Sequence, residues 1–71
     1  MKINYDKEAD AVYIELAKGE FEKNRKIDDF TILDMDKEGN ILGIELLEVS
    51  KRFSAEALEK IYVKNMKVIA Q

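Results

Sequence analysis

The stretch that decides the fold is Phe30-Thr31-Ile32-Leu33-Asp34-Met35-Asp36-Lys37-Glu38-Gly39-Asn40-Ile41-Leu42-Gly43-Ile44-Glu45-Leu46-Leu47. Two runs rich in β-forming residues, 30–36 and 41–47, flank a short polar loop that contains Gly39. A type I turn followed by a left-handed residue suits that loop, with Gly39 supplying the positive φ. Setting Asp36 opposite Ile41 puts Asp34 across from Gly43 and Ile32 across from Glu45. Asp34 and Glu45 then share one face, while Leu33, Met35, Leu42, Ile44 and Leu46 share the other. A slip of one residue would exchange the faces of the hairpin. It would also bury unpaired carboxylates, which is costly.

Upstream, Ala11-Val12-Tyr13-Ile14-Glu15-Leu16 is rich in β-branched and aromatic residues and reads as a strand. Ile3 and Tyr5 alternate with Lys2 and Asn4 in a shorter one, and the polar run Asp6 to Asp10 separates the two. Ala17 to Asp29 carries Gly19 and the charged run Glu22-Lys23-Asn24-Arg25-Lys26, and reads as a long connection with a short extended piece near Phe21. Downstream the period changes. Ser54 is a suitable N-cap, Phe53 and Leu58 have the spacing of a hydrophobic staple, and Leu58, Ile61 and Tyr62 recur at helical intervals. Asn65 can close this helix in a left-handed position. The expectation is a single α+β domain over 1–71: a four-stranded antiparallel β-meander within 1–47, one C-terminal helix over 54–65, and a tail over 66–71. One sheet face carries Ile3, Tyr5, Val12, Ile14 and Leu16 with the apolar hairpin set, and the helix covers it. The other carries Lys2, Asn4, Tyr13, Glu15, Asp34 and Glu45, together with Phe30, Ile32, Ile41 and Leu47.

Composition narrows the function classes. The chain has 71 residues, 46% hydrophobic and 38% charged, with neither cysteine nor histidine. Disulfides, thiolate nucleophiles, histidine bases and the usual zinc or haem ligands are therefore absent. The net charge of −3, from 15 acidic and 12 basic residues that are well mixed, lacks the basic stripe that nucleic-acid binding requires. No apolar run approaches about 20 residues, and Met1-Lys2-Ile3-Asn4-Tyr5 has no signal-peptide core. The expectation is a soluble cytoplasmic protein with no membrane partner.

Several residue patterns invite a chemical reading. Asp34-x-Asp36-x-Glu38-Gly39-x-Ile41-x-x-x-Glu45 follows the twelve-residue calcium loop of EF-hands nearly position by position. Such a loop needs helices on both sides, however, and both flanks alternate as strands, so a turn held by Asp36 and Asn40 is the better reading. Asp34 and Glu45, or Asp6, Glu8 and Asp10, are paired carboxylates of the kind used in acid–base catalysis. That chemistry requires a pocket, which a sheet with one helix has little volume to form. Asp10 reads as an Asx turn into its strand. Lys23-Asn24-Arg25-Lys26 reads as a solvated loop, and Lys51-Arg52 as the join between the last strand and the helix, able also to pair with an acidic partner. Ser54 has no base to activate it. Gly43, in mid-strand, marks a bulge or the close approach of another backbone. No catalytic, cofactor-binding or metal-binding residue is assigned.

Three stretches resemble a known family. Tyr5-Asp6-Lys7-Glu8-Ala9-Asp10-Ala11-Val12-Tyr13-Ile14 is similar to the opening of domain-of-unknown-function family 2283. Ile32 to Asn40 with Gly43-Ile44-Glu45-Leu46-Leu47 resembles its hairpin, and Ser50-Lys51-Arg52 the segment that follows. The resemblance implies no activity and transfers no site residue. Members often lie beside a small toxin-like domain, so it implies an antitoxin-like role.

Tyr13, Phe30, Ile32, Ile41 and Leu47 form more apolar surface than a monomer of this size usually leaves wet. They are the expected interface of a non-enzymatic interaction module, a homodimer or the partner of a small toxin-like protein. The alternative is a small enzyme or metal-binding domain using surface carboxylates. The turn reading has a direct check: thermal melts in excess calcium and in chelator should overlay. An upward shift of several degrees in calcium, abolished by Asp36→Ala, would be the opposite result.

Overall fold

In the computed structural model, residues 1–61 are described. The expected contact of Tyr62, the cap at Asn65 and the tail over 66–71 lie outside them. Five strands form one antiparallel sheet: β1 (Lys2–Asp6), β2 (Ala11–Glu15), β3 (Lys23–Asp28), β4 (Thr31–Met35) and β5 (Ile41–Leu47). A 3-10 turn, Val49–Lys51, follows, and residues 55–61 are helical. The antiparallel sheet with a C-terminal helix is the expected α+β class. No helix among the described residues is long and apolar enough to cross a membrane.

Two expectations are corrected. The segment read as a long connection contains β3, so the sheet has five strands rather than four. All six residues of β3 are exposed and five are polar, so the apolar alternation that marks a strand is missing. Its backbone pairs with β4 all the same, Arg25 opposite Leu33 and Asn24 opposite Asp34. The order is also not a meander but β1-β2-β5-β4-β3. The longest and most apolar strand, β5, lies in the middle, with β2 and β4 on either side, and the charged β3 is left at an edge. That placement leaves to the edge the strand with least to bury.

The hairpin register holds at Asp34 opposite Gly43 and Ile32 opposite Glu45. It shifts near the turn, where Met35 rather than Asp36 faces Ile41, so Leu42 is an extra, bulged residue. The turn itself is held as its residue types suggest. Asp36 Oδ1 accepts from the amides of Glu38 (3.0 Å) and Asn40 (2.9 Å), and its Oδ2 from Asn40 Nδ2 at 2.9 Å. The Asn40 side chain and amide, with those of Glu38 and Gly39, hold the Asp36 carboxyl below its ordinary range. Gly39 has φ 89°.

The core is small. Val12, Val49 and Leu58 are 2%, 0% and 4% exposed, with Ile3, Tyr5, Ile14 and Leu46 packed against them. These four and Val12 occupy the sheet face expected to lie under the helix. Leu16, expected on that face, is 42% exposed. Leu42 is buried elsewhere, beneath the 16–22 segment, because the amides of Leu16 and Ala17 both donate to its carbonyl and Gly19 lies against its side chain.

Val49 reaches the core because the turn that carries it is tied to the first hairpin. Asp10 does not close a local Asx turn. Its Oδ1 accepts from Ser50 N at 3.0 Å and its Oδ2 from Ser50 Oγ at 2.7 Å, while its own carbonyl accepts from Val49 N. Asp10 and Glu48 both sit at positive φ, 53° and 49°, to make this junction. Arg52 completes it on the other side, donating to the Phe30 carbonyl at 2.6 Å and to Thr31 Oγ1 at 3.0 Å. Asp28 caps the same corner by accepting from Phe30 N at 2.8 Å. That bond, with Thr31 and the Arg52 charge, lowers its pKa.

The helix starts where the cap places it: Ser54 Oγ accepts from Ala57 N at 3.1 Å. Replacing Ser54 with Ala should cost about 1 kcal/mol. Leu58→Ala should cost more, about 2–4 kcal/mol, because it opens a cavity beside Val12 and Val49. Urea melts of the two variants check the order of the effects.

Candidate functional site on the open sheet face

The face away from Leu58 is built from two rows of cross-strand neighbours. One runs Lys2–Glu15–Gly43–Asp34–Asn24 and the other Asn4–Tyr13–Glu45–Ile32–Lys26. Gly43 is buried and leaves a gap in the first row. The ring of Tyr13 leans across that gap, so that a Cβ on Gly43 would overlap its hydroxyl and ring. The close approach expected at Gly43 is therefore an aromatic side chain, not another backbone.

Leaning this way carries the Tyr13 hydroxyl over Gly43, toward Asp34 on the next strand. Asn24 Nδ2 donates to Asp34 Oδ1 at 2.6 Å from the other side. Glu45 shares this face with Asp34, one cross-strand row away on the adjoining strand. Burial, and then the neighbouring Asp34, push the Glu45 pKa up. Burial, then Asp34 and the charges of Glu15 and Glu45, push the Tyr13 pKa up too. Asp34 thus stands among Tyr13, Asn24 and Glu45, and Asn24 donates to it.

Beside this cluster lies an open depression of about 500 Å³, floored by Tyr13 and Leu42 and rimmed by Glu15, Asp34, Gly19 and Phe21. It is a surface hollow rather than an enclosed pocket. The carboxylates of the EF-like spacing do separate work, because Asp36 closes its own loop while Asp34 and Glu45 pair on the sheet. Among the described residues, no group of three or more carboxylates is placed to hold a metal ion. Ser50 and Ser54 are taken up by Asp10 and by the helix cap.

Of the residues expected at an interface, Tyr13, Ile32 and Leu47 are half-buried, and their strand positions place them on this face. Phe30 lies just before β4, its carbonyl bonded to Leu47 N at 2.8 Å, and is 42% exposed. Ile41 leaves the group: the bulge at Leu42 puts it opposite Met35, on the Leu33 and Ile44 side. Asn24 was missed as a member of the cluster because β3 carries no strand pattern. Gly43 was the signal that something crosses the sheet there.

The fold and site define a small α+β domain with a helix on one sheet face and a polar cluster, flanked by apolar side chains, on the other. Residues 2–50 match the family described as protein of unknown function (DUF2283), and the chain belongs to that family. No curated protein and no solved structure matches it.

The gap at Gly43 has a measurable consequence. Gly43→Ala should destabilise by about 1–3 kcal/mol by displacing the Tyr13 ring. In a Tyr13→Ala background the same change should cost clearly less, and a double-mutant cycle in urea reads the coupling directly.

Proposed function

We propose that this domain is a non-enzymatic interaction module that self-associates through the sheet face opposite its helix. The observation that supports it most is the one-sided core. Val49 and Leu58 cover the Val12 face, and no other described element lies over Tyr13, Ile32 and Leu47. The described chain is only 16 Å through its thinnest axis, the thickness of a sheet with one covering layer. Burying Tyr13, Ile32, Leu47 and Phe30 contributes at most about 1.5–3 kcal/mol each before association costs, and less where a side chain is already half-buried.

Of the two sheet edges, the one at β3 is poorly suited to strand addition. β3 presents Lys23, Arg25 and Lys26 and is irregular at Ile27, devices that discourage strand addition. An antitoxin-like role belongs to the same reading, with a small toxin-like protein taking the place of the second copy. The alternative, a carboxylate enzyme, draws on the Asp34–Glu45 pair, but the hollow beside it is open and the two described serines are otherwise engaged.

Size-exclusion chromatography with light scattering should give a dimer at high protein concentration, and Ile32→Glu a folded monomer. A wild-type monomer at every concentration rules out self-association and leaves the toxin-like partner. An unfolded Ile32→Glu chain would mean that Ile32 serves the core of the monomer instead.

A further inference from the structure

The two edges of the sheet differ in kind. At one, β3 carries Lys23, Arg25 and Lys26. Laid against a second copy of itself about a two-fold axis at Asn24, Arg25 or Lys26, it sets cation against cation. At the other edge lies β1, Lys2-Ile3-Asn4-Tyr5-Asp6, and among the described residues no strand pairs with its outer side. We propose that β1 pairs, antiparallel, with β1 of a second copy of this chain about a two-fold axis at Asn4, making one continuous sheet. This contact is separate from the open-face contact above and goes beyond it.

The backbone decides which groups meet. The amide of Leu16 donates to the Leu42 carbonyl at 2.8 Å, continuing the register that pairs Ile14 with Ile44. Hydrogen-bonded pairs alternate along an antiparallel ladder, so Val12 and Ile14 turn their backbone groups to β5, and Ala11, Tyr13 and Glu15 turn theirs to β1. The partners of those three, Asp6, Asn4 and Lys2, are thereby bonded inward. Ile3 and Tyr5 point their N–H and C=O out of the sheet. A two-fold axis at Asn4 sets Ile3 opposite Tyr5 of the second copy, and Tyr5 opposite its Ile3. Each outward donor then meets an acceptor.

The side chains fit the same register. Lys2 comes opposite Asp6 of the second copy at both ends of the seam, in the non-hydrogen-bonded pairs where side chains approach most closely. Asp6 accepts from Glu8 N and Ala9 N through Oδ1, bonds within its own turn that the pairing does not disturb. On the other face Ile3 and Tyr5, which pack against Val12, Val49 and Leu58, meet their counterparts, so the apolar rows of the two copies join. Moving the axis to Ile3 or Tyr5 removes both Lys2–Asp6 pairs. The charges at the ends of β1 therefore select one register.

Five residues a side make a narrow seam, short of the roughly 800 Å² per partner of a stable interface. The contact is weak, and chemical trapping reads it where chromatography does not. An axis at Asn4 brings its two copies to about 4.5 Å between Cα atoms, inside the disulfide range of about 4.4–6.8 Å. Lys2 lies about 14 Å from its own copy in the same register.

The chain has no cysteine, so a single introduced thiol reports its own position. Full-length Asn4→Cys, Lys2→Cys and Glu56→Cys, all at exposed positions, are oxidised with diamide and the covalent dimer is followed with time. Asn4→Cys should cross-link at least about tenfold faster than the other two, because pairing holds its thiols together. That advantage should persist with Ile32→Glu added, which removes the open-face contact, and should vanish with Lys2→Glu added, which sets like charges at both ends of the seam. In the wild type, the amides of Ile3 and Tyr5 should exchange with solvent more slowly as protein concentration rises; this measurement decides the matter if Ile32→Glu does not fold. Asn4→Cys no faster than Lys2→Cys, an advantage lost with Ile32→Glu, or Ile3 and Tyr5 amides that exchange at one rate at every concentration overturns the edge pairing and leaves the open-face contact standing.

Discussion

The attachment of Asp10 to Ser50 is the interaction on which the rest of the structure depends. A five-stranded sheet has two faces and needs something to cover at least one of them. Here the cover begins with the short turn at Val49–Lys51, and its position is set by both oxygens of one carboxylate, 40 residues away in sequence. That contact drives Val49 to complete burial and aims the chain so that Leu58 lands on Val12. Arg52 then fastens the other side of the turn to the corner before β4. Without the two attachments the helix would have no fixed entry onto the sheet, and a core this small could not tolerate the loss.

The core and the open face have different chemistry for one reason, which is the placement of β5. As the central strand it is paired on both sides, so its side chains stand among neighbours on either face. Ile44 and Leu46 serve the apolar side. Glu45 finds itself between Tyr13 and Ile32, partly shielded from water and next to Asp34. An isolated carboxylate there would be costly. Asn24 offsets part of that cost for the neighbouring Asp34 by donating to it. The gap at Gly43 is what lets Tyr13 reach. The face therefore carries polar groups at its centre and apolar side chains around them.

The hairpin, its turn, the Asp34–Gly43 register, the Ser54 cap and the helix-covered face were legible in the sequence, because each rests on contacts a few residues apart or on simple alternation. Asp36 and Asn40 are close in the chain, and so are Ser54 and Ala57. The fifth strand was not legible, since Lys23–Asp28 buries nothing and so carries no periodic mark. The role of Asp10 was misread for a related reason: a local turn and a distant partner ask for the same side chain, and only the folded chain brings Ser50 within 2.7 Å.

By itself, the sequence determined the class of fold, the two chemistries of the sheet faces, and the absence of histidine and cysteine chemistry. It also carried the family, through the first turn, the hairpin and Ser50. The tertiary structure decided the strand order, the bulge that moves Ile41 off the open face, and the meeting of Tyr13, Asn24, Asp34 and Glu45 around Gly43. The division has a physical cause. Alternation and capping are properties of neighbouring residues, whereas strand order and a cluster drawn from four strands depend on which distant segments exclude water from one another.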